Sequence, residues 1–285
     1  MRLFRNKPWF LLLPALLFLI LPSYGLATAI LESIRGTDGF TGEHYETLFA
    51  SDRFTASFLF SVRTALIASV LSLAAGVLLT RTFSGYLEKN IPRLSVWLPM
   101  VFPHLVWGYI MILLFAETGL FSQLLVSLGW IESSNEFPIW TRDSNGIGII
   151  LTYIWKEIPF VILMLFPVYS AIPRSYYDLV ETLGGSRWDQ FKTVEWPRIL
   201  PVLLEVFLII FAFTLTAYEV PALLGTTFPE MVSVLSYQWF YSGSFEDRPL
   251  AFAAMTGTSF LIMLGALAAY LYLNRKRMRA MRGRL

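Results

Sequence analysis

The sequence has no cysteine and only two histidines among its 285 residues. Without cysteine the chain can form no disulfide framework and no thiolate metal site. The two histidines, His44 and His104, are far apart and lack the spacing of metal ligands. We therefore predict no metal site in this chain.

Charged residues are also scarce, at 15% of the sequence, whereas 56% of the residues are hydrophobic. A soluble domain of this length is not so apolar, and the balance predicts a protein that crosses a lipid bilayer several times. No nucleic-acid partner is predicted.

Motifs that carry chemistry are absent as well. The sequence contains no Gly-x-x-x-x-Gly-Lys-Ser/Thr loop to cradle a nucleotide, no Gly-x-Ser-x-Gly and no His-Glu-x-x-His. We therefore predict no catalytic residue and no cofactor in this chain, which is not expected to be an enzyme. Energy for any active process would come from another subunit.

Six apolar stretches reach the length of about 20 residues that a helix needs to cross the hydrocarbon core. They predict an all-α, polytopic membrane protein. The stretches are 8–31, 57–80, 94–116, 146–172, 202–224 and 249–273. The first could instead be a signal peptide, because Ala27-Thr28-Ala29 resembles a cleavage site, but its uncharged run is longer than a signal sequence needs. We favour a retained first span.

Prolines and charges within these stretches predict irregular helices. Pro99 and Pro103 should bend the third span, because proline removes a backbone donor and clashes with the preceding turn. Lys156-Glu157 and Pro159 should interrupt the fourth span. A hydrophobic segment at 231–241 predicts a further helix that is partly re-entrant or lies at the membrane interface.

Lysine and arginine are distributed unevenly between the two sides of the predicted spans. With the N-terminus inside, sixteen of the 22 basic residues fall in cytoplasmic segments and four in external loops. Because basic residues accumulate on the cytoplasmic side, the counts predict that both termini are cytoplasmic. The same rule places residues 173–201, between spans four and five, in the cytoplasm.

Residues 173–201, called the polar hairpin below, form a charge-mixed segment in a largely apolar half of the chain. Ser175 with Asp178, and Ser186 with Asp189, have the spacing of capping boxes, which predicts two short helices. Gly184-Gly185 between them suits a helix C-terminus, because glycine tolerates the left-handed conformation. We expect Pro197 to interrupt the second helix.

This hairpin resembles the "EAA" loop of the permease subunits of binding-protein-dependent ABC importers. That loop reads Glu-Ala-Ala, three residues, Gly, nine residues, Ile-x-Leu-Pro. Here the matching positions are Asp178-Leu179-Val180, Gly184 and Val194-Glu195-Trp196-Pro197. The glycine and proline match in identity and spacing, whereas the first acid is Asp and larger apolar residues replace both alanines. The resemblance extends over roughly residues 57–273, and the group it suggests includes spermidine/putrescine, ferric iron and thiamine permeases.

The resemblance implies a type I ABC importer permease with a coupling hairpin that docks on an ATPase. It implies four kinds of partner: cytoplasmic ATPase subunits that bind ATP and Mg, a second permease subunit, an external solute-binding protein and the lipid bilayer. It also implies a permease core at 57–273, preceded by a first helix and external loop at 1–56 and followed by a basic tail at 274–285. The residues expected to contact the ATPase are Asp178, Leu179, Val180, Glu181, Gly184, Val194, Trp196 and Pro197.

Five charged residues lie within the predicted spans, where an unpaired charge costs at least ~2.5–3.5 kcal/mol. Four of them are candidates for the translocation path or for a buried charge pair, namely Lys156, Glu157, Glu219 and Arg63, and the fifth is Glu205. On one interpretation Lys156 pairs with Glu157 or Glu219 and holds spans four and five together. On the other, Glu219 faces the translocation path and gates it or meets a cationic substrate. A rival function, a secondary transporter or channel with Lys156, Glu157 and Glu219 as an ion relay, leaves the polar hairpin unexplained.

Overall fold

A computed structural model of the chain describes residues 12–36 and 39–282, with the backbone alone for 272–282. Its described part is mostly helical. The helices are α1 Leu13–Ser33, α2 Glu43–Ala50, α3 Asp52–Leu87, α4 Asn90–Val101, α5 His104–Phe115, α6 Leu120–Ser127, α7 Ile147–Ser170, α8 Arg174–Thr182, α9 Arg187–Gln190, α10 Trp196–Thr216, α11 Glu219–Leu224, α12 Val232–Tyr241 and α13 Arg248–Arg282. A two-residue antiparallel pair, β1 Arg35–Gly36 with β2 Gly39–Phe40, joins α1 to α2.

Six stretches within the described residues are long and apolar enough to cross a membrane, which confirms the predicted all-α fold with six spans. They are Leu13–Ser33, Asp52–Leu87, His104–Ser127, Ile147–Ser170, Arg187–Thr216 and Phe245–Leu271. Residues 8–11 of the predicted first span lie outside the described residues, and retention of that span stays a prediction. The segment predicted at 231–241 is the helix α12, and its depth in the membrane stays a prediction.

Proline breaks the predicted third span and leaves the fourth intact. The predicted bend at Pro103 is confirmed, because α4 ends at Val101 and α5 begins at His104. The predicted interruption of span four at Pro159 is wrong, since α7 runs unbroken past it. A missing hydrogen bond inside a membrane helix is tolerated where neighbouring helices pack around it.

The predicted ends of the last two spans also need correction. Span five was expected to reach residue 224, but α10 ends at Thr216, where Ala217 adopts an extended conformation. Glu219 then begins the separate helix α11. The last helix, α13, continues to Arg282 and so includes most of the predicted basic tail.

The chain divides into two compact units, which are described separately. The first comprises Met1–Thr55 and Leu235–Leu261. In it the Tyr45 hydroxyl lies 2.9 Å from the Ser33 hydroxyl and 2.8 Å from the Thr256 hydroxyl. This chain of hydroxyl groups links α1, α2 and α13.

The second unit, Ala56–Val234 with Ile262–Leu285, has a core between α7 and α10. The buried residues recur at helical spacing, so that one stripe on each helix faces the other. They include Val161, Leu165, Tyr169 and Ile172 from α7 and its end, and Ile199, Leu203, Val206 and Ile210 from α10. Because lipid tails are as apolar as these side chains, close packing stabilises this contact more than exclusion from the solvent does.

Small residues on α3 allow that helix to approach α7 closely. A Cβ added to Gly76 would clash with Val161 of α7. The buried hydroxyls of Ser69, Ser72 and Thr80 each donate to the carbonyl four residues earlier in α3 at 2.7 Å. These polar side chains therefore satisfy their donors within their own helix, as small residues at membrane interfaces commonly do.

Candidate functional site

A glycine pair closes the first short helix of the polar hairpin. Gly184 has a φ of +78°, in the left-handed region. Its N–H donates to the Glu181 carbonyl at 2.9 Å, and the Gly185 N–H donates to the Val180 carbonyl at 2.9 Å. These two bonds form a Schellman motif. The predicted helix C-terminus at Gly184 is confirmed.

One of the two predicted capping boxes is present. The Ser186 Oγ accepts from the Asp189 N–H at 3.3 Å, and the Asp189 carboxylate accepts from the Ser186 N–H at 2.8 Å. The box predicted from Ser175 and Asp178 is wrong. The N-cap of α8 is Pro173 and carries no side-chain bond, so Ser175 already lies inside the helix, where its hydroxyl cannot cap it.

The second half of the polar hairpin enters the fifth span through a change of helix type, so the interruption expected at Pro197 takes the form of a π-helical turn just before that residue. Residues Phe191–Glu195 form a π-helical turn, and the Trp196 N–H donates to the Phe191 carbonyl, five residues back. The α-helical ladder therefore starts afresh at α10, and Pro197 lies in its first turn. Proline is tolerated there because that N–H would have no helical partner.

Most of the predicted coupling residues lie on the surface of this hairpin. Asp178, Leu179, Glu181, Gly184, Trp196 and Pro197 are exposed, Val180 is half-buried and Val194 is buried. Large apolar side chains accompany them on the surface, namely Tyr176, Leu179, Leu183 and Trp188. Leu183 is 78% exposed, and the hairpin therefore presents an apolar face that this chain leaves uncovered.

Arg81, near the end of α3, contacts this hairpin at three points. Its Nε lies 3.1–3.2 Å from the carboxylate oxygens of Glu195. Its Nη2 donates to the Arg187 carbonyl at 2.7 Å, and its guanidinium lies 5.0 Å from the centre of the Phe191 ring. The Tyr169 hydroxyl of α7 donates to the same Glu195 carboxylate at 3.1 Å.

This cluster is not among the residues predicted from the sequence, although two signals pointed to it. Glu195 occupies the position that the loop motif leaves free, and it is an acid between apolar residues. Arg81 is the first basic residue after the second predicted span.

A second arginine braces the beginning of α10. Arg198 donates to the Val194 carbonyl and lies 4.5 Å from the centre of the Tyr176 ring. The neighbouring Tyr177 is partly buried, and this burial raises the pKa of its hydroxyl. The negative charge of Glu195 raises that pKa further, and the positive charges of Arg198 and Arg81 lower it by less.

Lys156 of α7 binds backbone carbonyls at the break between α4 and α5. Its Nζ donates to the Pro99 carbonyl at 2.9 Å and to the Phe102 carbonyl. Pro103 has no N–H, so the carbonyl of Pro99, four residues earlier, has no helical donor. The ammonium group supplies the missing donor, together with the Trp107 indole N–H at 3.0 Å.

Glu157, the next residue of α7, pairs with a histidine instead. Its Oε1 lies 3.1 Å from the His104 Nε2 at the start of α5. Both residues, with Lys156, line a cavity of about 270 Å³ between α4, α5, α7 and α10. The other lining residues are apolar, namely Met100, Phe160, Ile209, Ile210 and Phe213. The cavity is thus an apolar recess with three polar groups at one side.

The structure does not bring Glu219 and Lys156 together, so the expected ion pair between them is wrong. Lys156 is held by carbonyls, and Glu219 is exposed in the first turn of α11. The pairing of Lys156 with Glu157 is likewise replaced by the contact of Glu157 with His104. Arg63 lies elsewhere and donates to the Asn145 carbonyl at 2.9 Å.

Two curated proteins resemble the chain along much of its length. It is 28% identical over 267 residues to the inner membrane ABC transporter permease protein YnjC of Escherichia coli (strain K12), covering 92% of this chain and 46% of that protein. It is 29% identical over 182 residues to the thiamine transport system permease protein ThiP of Haemophilus influenzae, covering 62% of this chain and 32% of that protein. The chain spans less than half the length of each of these relatives.

The fold matches that of a solved transporter subunit. A chain in the crystal structure of a bacterial alginate ABC transporter, in complex with an alginate pentasaccharide-bound periplasmic protein, superposes with a TM-score of 0.73 at 20% identity. The match covers 94% of this chain and 96% of that one. A sequence model described as "binding-protein-dependent transport system inner membrane component" matches residues 72–279, well over half of the chain. The chain is therefore a member of that family and a multi-pass membrane protein.

Proposed function

We propose that the chain is a permease subunit of a type I ABC importer. With a second permease subunit it forms the path through the membrane for a small solute delivered by an external binding protein. ATP hydrolysis takes place in separate ATPase subunits, which bind ATP and Mg. The polar hairpin docks on one of them and couples hydrolysis to movement of the spans.

The polar hairpin is the observation that carries this proposal. It lies between two long apolar helices. Its first short helix ends in the Schellman motif at Gly184, and its second begins with the capping box at Ser186. Yet its apolar residues Leu179 and Leu183 remain exposed. A well-formed segment with an uncovered apolar face is typical of a surface that binds a partner protein.

The charge distribution supports the orientation in the membrane that docking of the polar hairpin on a cytoplasmic ATPase requires. We propose a bacterial plasma membrane location, with both termini and the polar hairpin on the cytoplasmic side, because sixteen of the 22 basic residues fall on that side. The permease core is 57–273, preceded by a first helix and external loop at 1–56 and followed by a basic tail at 274–285.

The cavity of His104, Lys156 and Glu157 is the proposed part of the translocation path in this chain. Polar groups at membrane depth are expensive and commonly mark substrate or ion paths. Here they face a recess large enough for a small solute. Lys156 is held by carbonyls and Glu157 by His104, so these groups do not form the continuous relay that a secondary transporter would need. Arg63 and Glu219 do not line this cavity.

Copurification tests the proposed function. The full chain, tagged and extracted in detergent from its own membrane, should bring down an ATPase with a Gly-x-x-x-x-Gly-Lys-Ser/Thr loop in stoichiometric amount. The Leu183→Ser variant should lose most of this ATPase, because Leu183 lies on the hairpin's exposed face. The matched control is Leu128→Ser, an exposed leucine in a predicted external loop. No ATPase with the unmodified chain, or equal loss in both variants, contradicts the proposal.

A further inference from the structure

The cluster around Arg81 joins the polar hairpin to the spans through one side chain. The Arg81 guanidinium bonds to the Arg187 carbonyl at the start of α9 and to the Glu195 carboxylate at the entry to α10, and it covers the Phe191 ring between them. Arginine can make these contacts together because its donors form a planar fork. Every contact lies between α3 and the second half of the hairpin.

Glu195 extends the same connection to a third helix. Its side chain is only 4% exposed, and it accepts from Arg81 of α3 and from the Tyr169 hydroxyl of α7. Because Glu195 is itself the last residue before α10, its single carboxylate ties α3, α7 and α10 at one level. Shifting the hairpin without shifting these helices would break its bonds.

The energetics favour a positioning role for this cluster over simple stabilisation. A largely buried ion pair is weak evidence for stability, because desolvation of the two charges offsets most of their attraction. Such a pair can instead fix geometry, as buried polar groups do in some proteins. Glu195 also lies on a π-helical turn, Phe191–Glu195, and such turns occur frequently at functional sites.

We infer that Arg81, Glu195 and Tyr169, together called the joint, pass movement of the polar hairpin into α3 and α7 when the ATPase subunits close. This inference rests on the proposed function. The three are positioning residues, since they act through the helices that they connect. A variant that lacks the joint should still bind the ATPase, because the hairpin's exposed face is unchanged. ATP should then no longer change the conformation of the translocation path.

Thiol labelling of the path provides the test, since the chain has no cysteine of its own. Met100, which lines the cavity of His104, Lys156 and Glu157, is changed to cysteine in the full complex with its ATPase. The rate of labelling by a maleimide is measured with and without ATP and vanadate. In the otherwise unmodified complex the two rates should differ. In Arg81→Met and Glu195→Gln their ratio should fall to about one, since ATP no longer distinguishes two states of the path.

Three further variants separate positioning from stability. The double change Arg81→Met with Glu195→Gln should recover thermal stability, because no charge is left unpaired, while the labelling ratio stays at about one. Tyr169→Phe removes one bond and should reduce the ratio in part. Arg93→Met is the matched control, because Arg93 of α4 bonds to the Leu87 and Glu88 carbonyls at the end of α3 and lies over Phe166, and within the described residues it makes no hydrogen bond to the polar hairpin. It should keep the full ratio.

The outcomes distinguish this inference from the proposed function. An unmodified complex without ATPase overturns both. A bound ATPase with an unchanged labelling ratio in Arg81→Met overturns the joint alone. Recovery of both stability and ratio in the double variant also overturns it, since the cluster would then only stabilise the fold. Loss of ATPase from every joint variant, including Tyr169→Phe, also overturns the joint, since the cluster would then be needed for docking.

Discussion

Gly184 offers the sharpest test of the hairpin geometry, because a substitution there should change only the free-energy cost of the left-handed backbone conformation. Its φ is +78°, and a Cβ added there would meet nothing within 4 Å. A substitution therefore costs only the backbone preference of an L-residue against the left-handed conformation, roughly 1–2 kcal/mol. That corresponds to a factor of roughly 5–30 in the equilibrium between the closed and open end of α8.

Gly184→Val should pay this cost in full, whereas Gly184→Asn should keep most of the native stability, because asparagine tolerates the left-handed region. Gly184→Ala should fall between them. Hydrogen exchange of the peptide that covers 174–190 measures the effect directly. Protection of the Gly185 amide, which bonds to the Val180 carbonyl, should drop in Val by roughly 5–30-fold and much less in Asn.

The amount of copurified ATPase should decrease in the same order, while insertion into the membrane should not change. Gly185→Ala is a useful contrast, because its Cβ would clash with the Val180 side chain and carbonyl. The Gly185→Ala variant should therefore be destabilised by this steric clash, although its φ is favourable. Equal exchange rates in Gly184→Val and Gly184→Asn would refute the argument, since the two variants differ mainly in their tolerance of this conformation.

Two further predictions concern charged residues. Asp178→Lys should reduce copurified ATPase more than Asp178→Asn, because Asp178 is exposed on the proposed docking face and only lysine inverts its charge; equal recovery with all three proteins would contradict this. Lys156→Met should lower the free energy of unfolding by about 1–3 kcal/mol, because it leaves the Pro99 carbonyl with a weaker set of donors. A double-mutant cycle of Lys156→Met with Glu219→Gln, followed by thermal unfolding, should give a coupling free energy near zero. A coupling free energy above about 1 kcal/mol would contradict the structure and show that the two residues interact.

Local signals in the sequence predicted local features well. The six spans follow from length and composition alone, and Gly184 follows from the demand of a helix end for a left-handed residue. The Ser186 box was predicted correctly because a serine and an acid three residues later satisfy free N–H groups at a helix start. The identical pattern at Ser175 failed because Pro173, two residues earlier, already sets the start of α8. Spacing identifies a possible cap, and the neighbouring backbone determines which one forms.

Features that depend on distant parts of the chain could not be predicted in this way. Lys156 was expected to seek a carboxylate, but its partners are main-chain carbonyls, which every residue carries and no sequence pattern marks. Glu219 was placed in a span because residues 202–224 are largely apolar, although the backbone leaves the helix at Ala217. The contact of Arg81 with Glu195 joins residues 114 positions apart.

The contact between Lys156 and the break at Pro103 constrains the order in which substitutions can be accepted. If Lys156 is replaced first, the Pro99 carbonyl loses its ammonium donor while Pro103 still offers no N–H. If Pro103 is replaced first, the new residue adds a backbone N–H that can serve the Pro99 carbonyl, and Lys156 is then needed chiefly for the Phe102 carbonyl. We therefore expect loss of the proline before the lysine to weaken the protein less than loss in the reverse order.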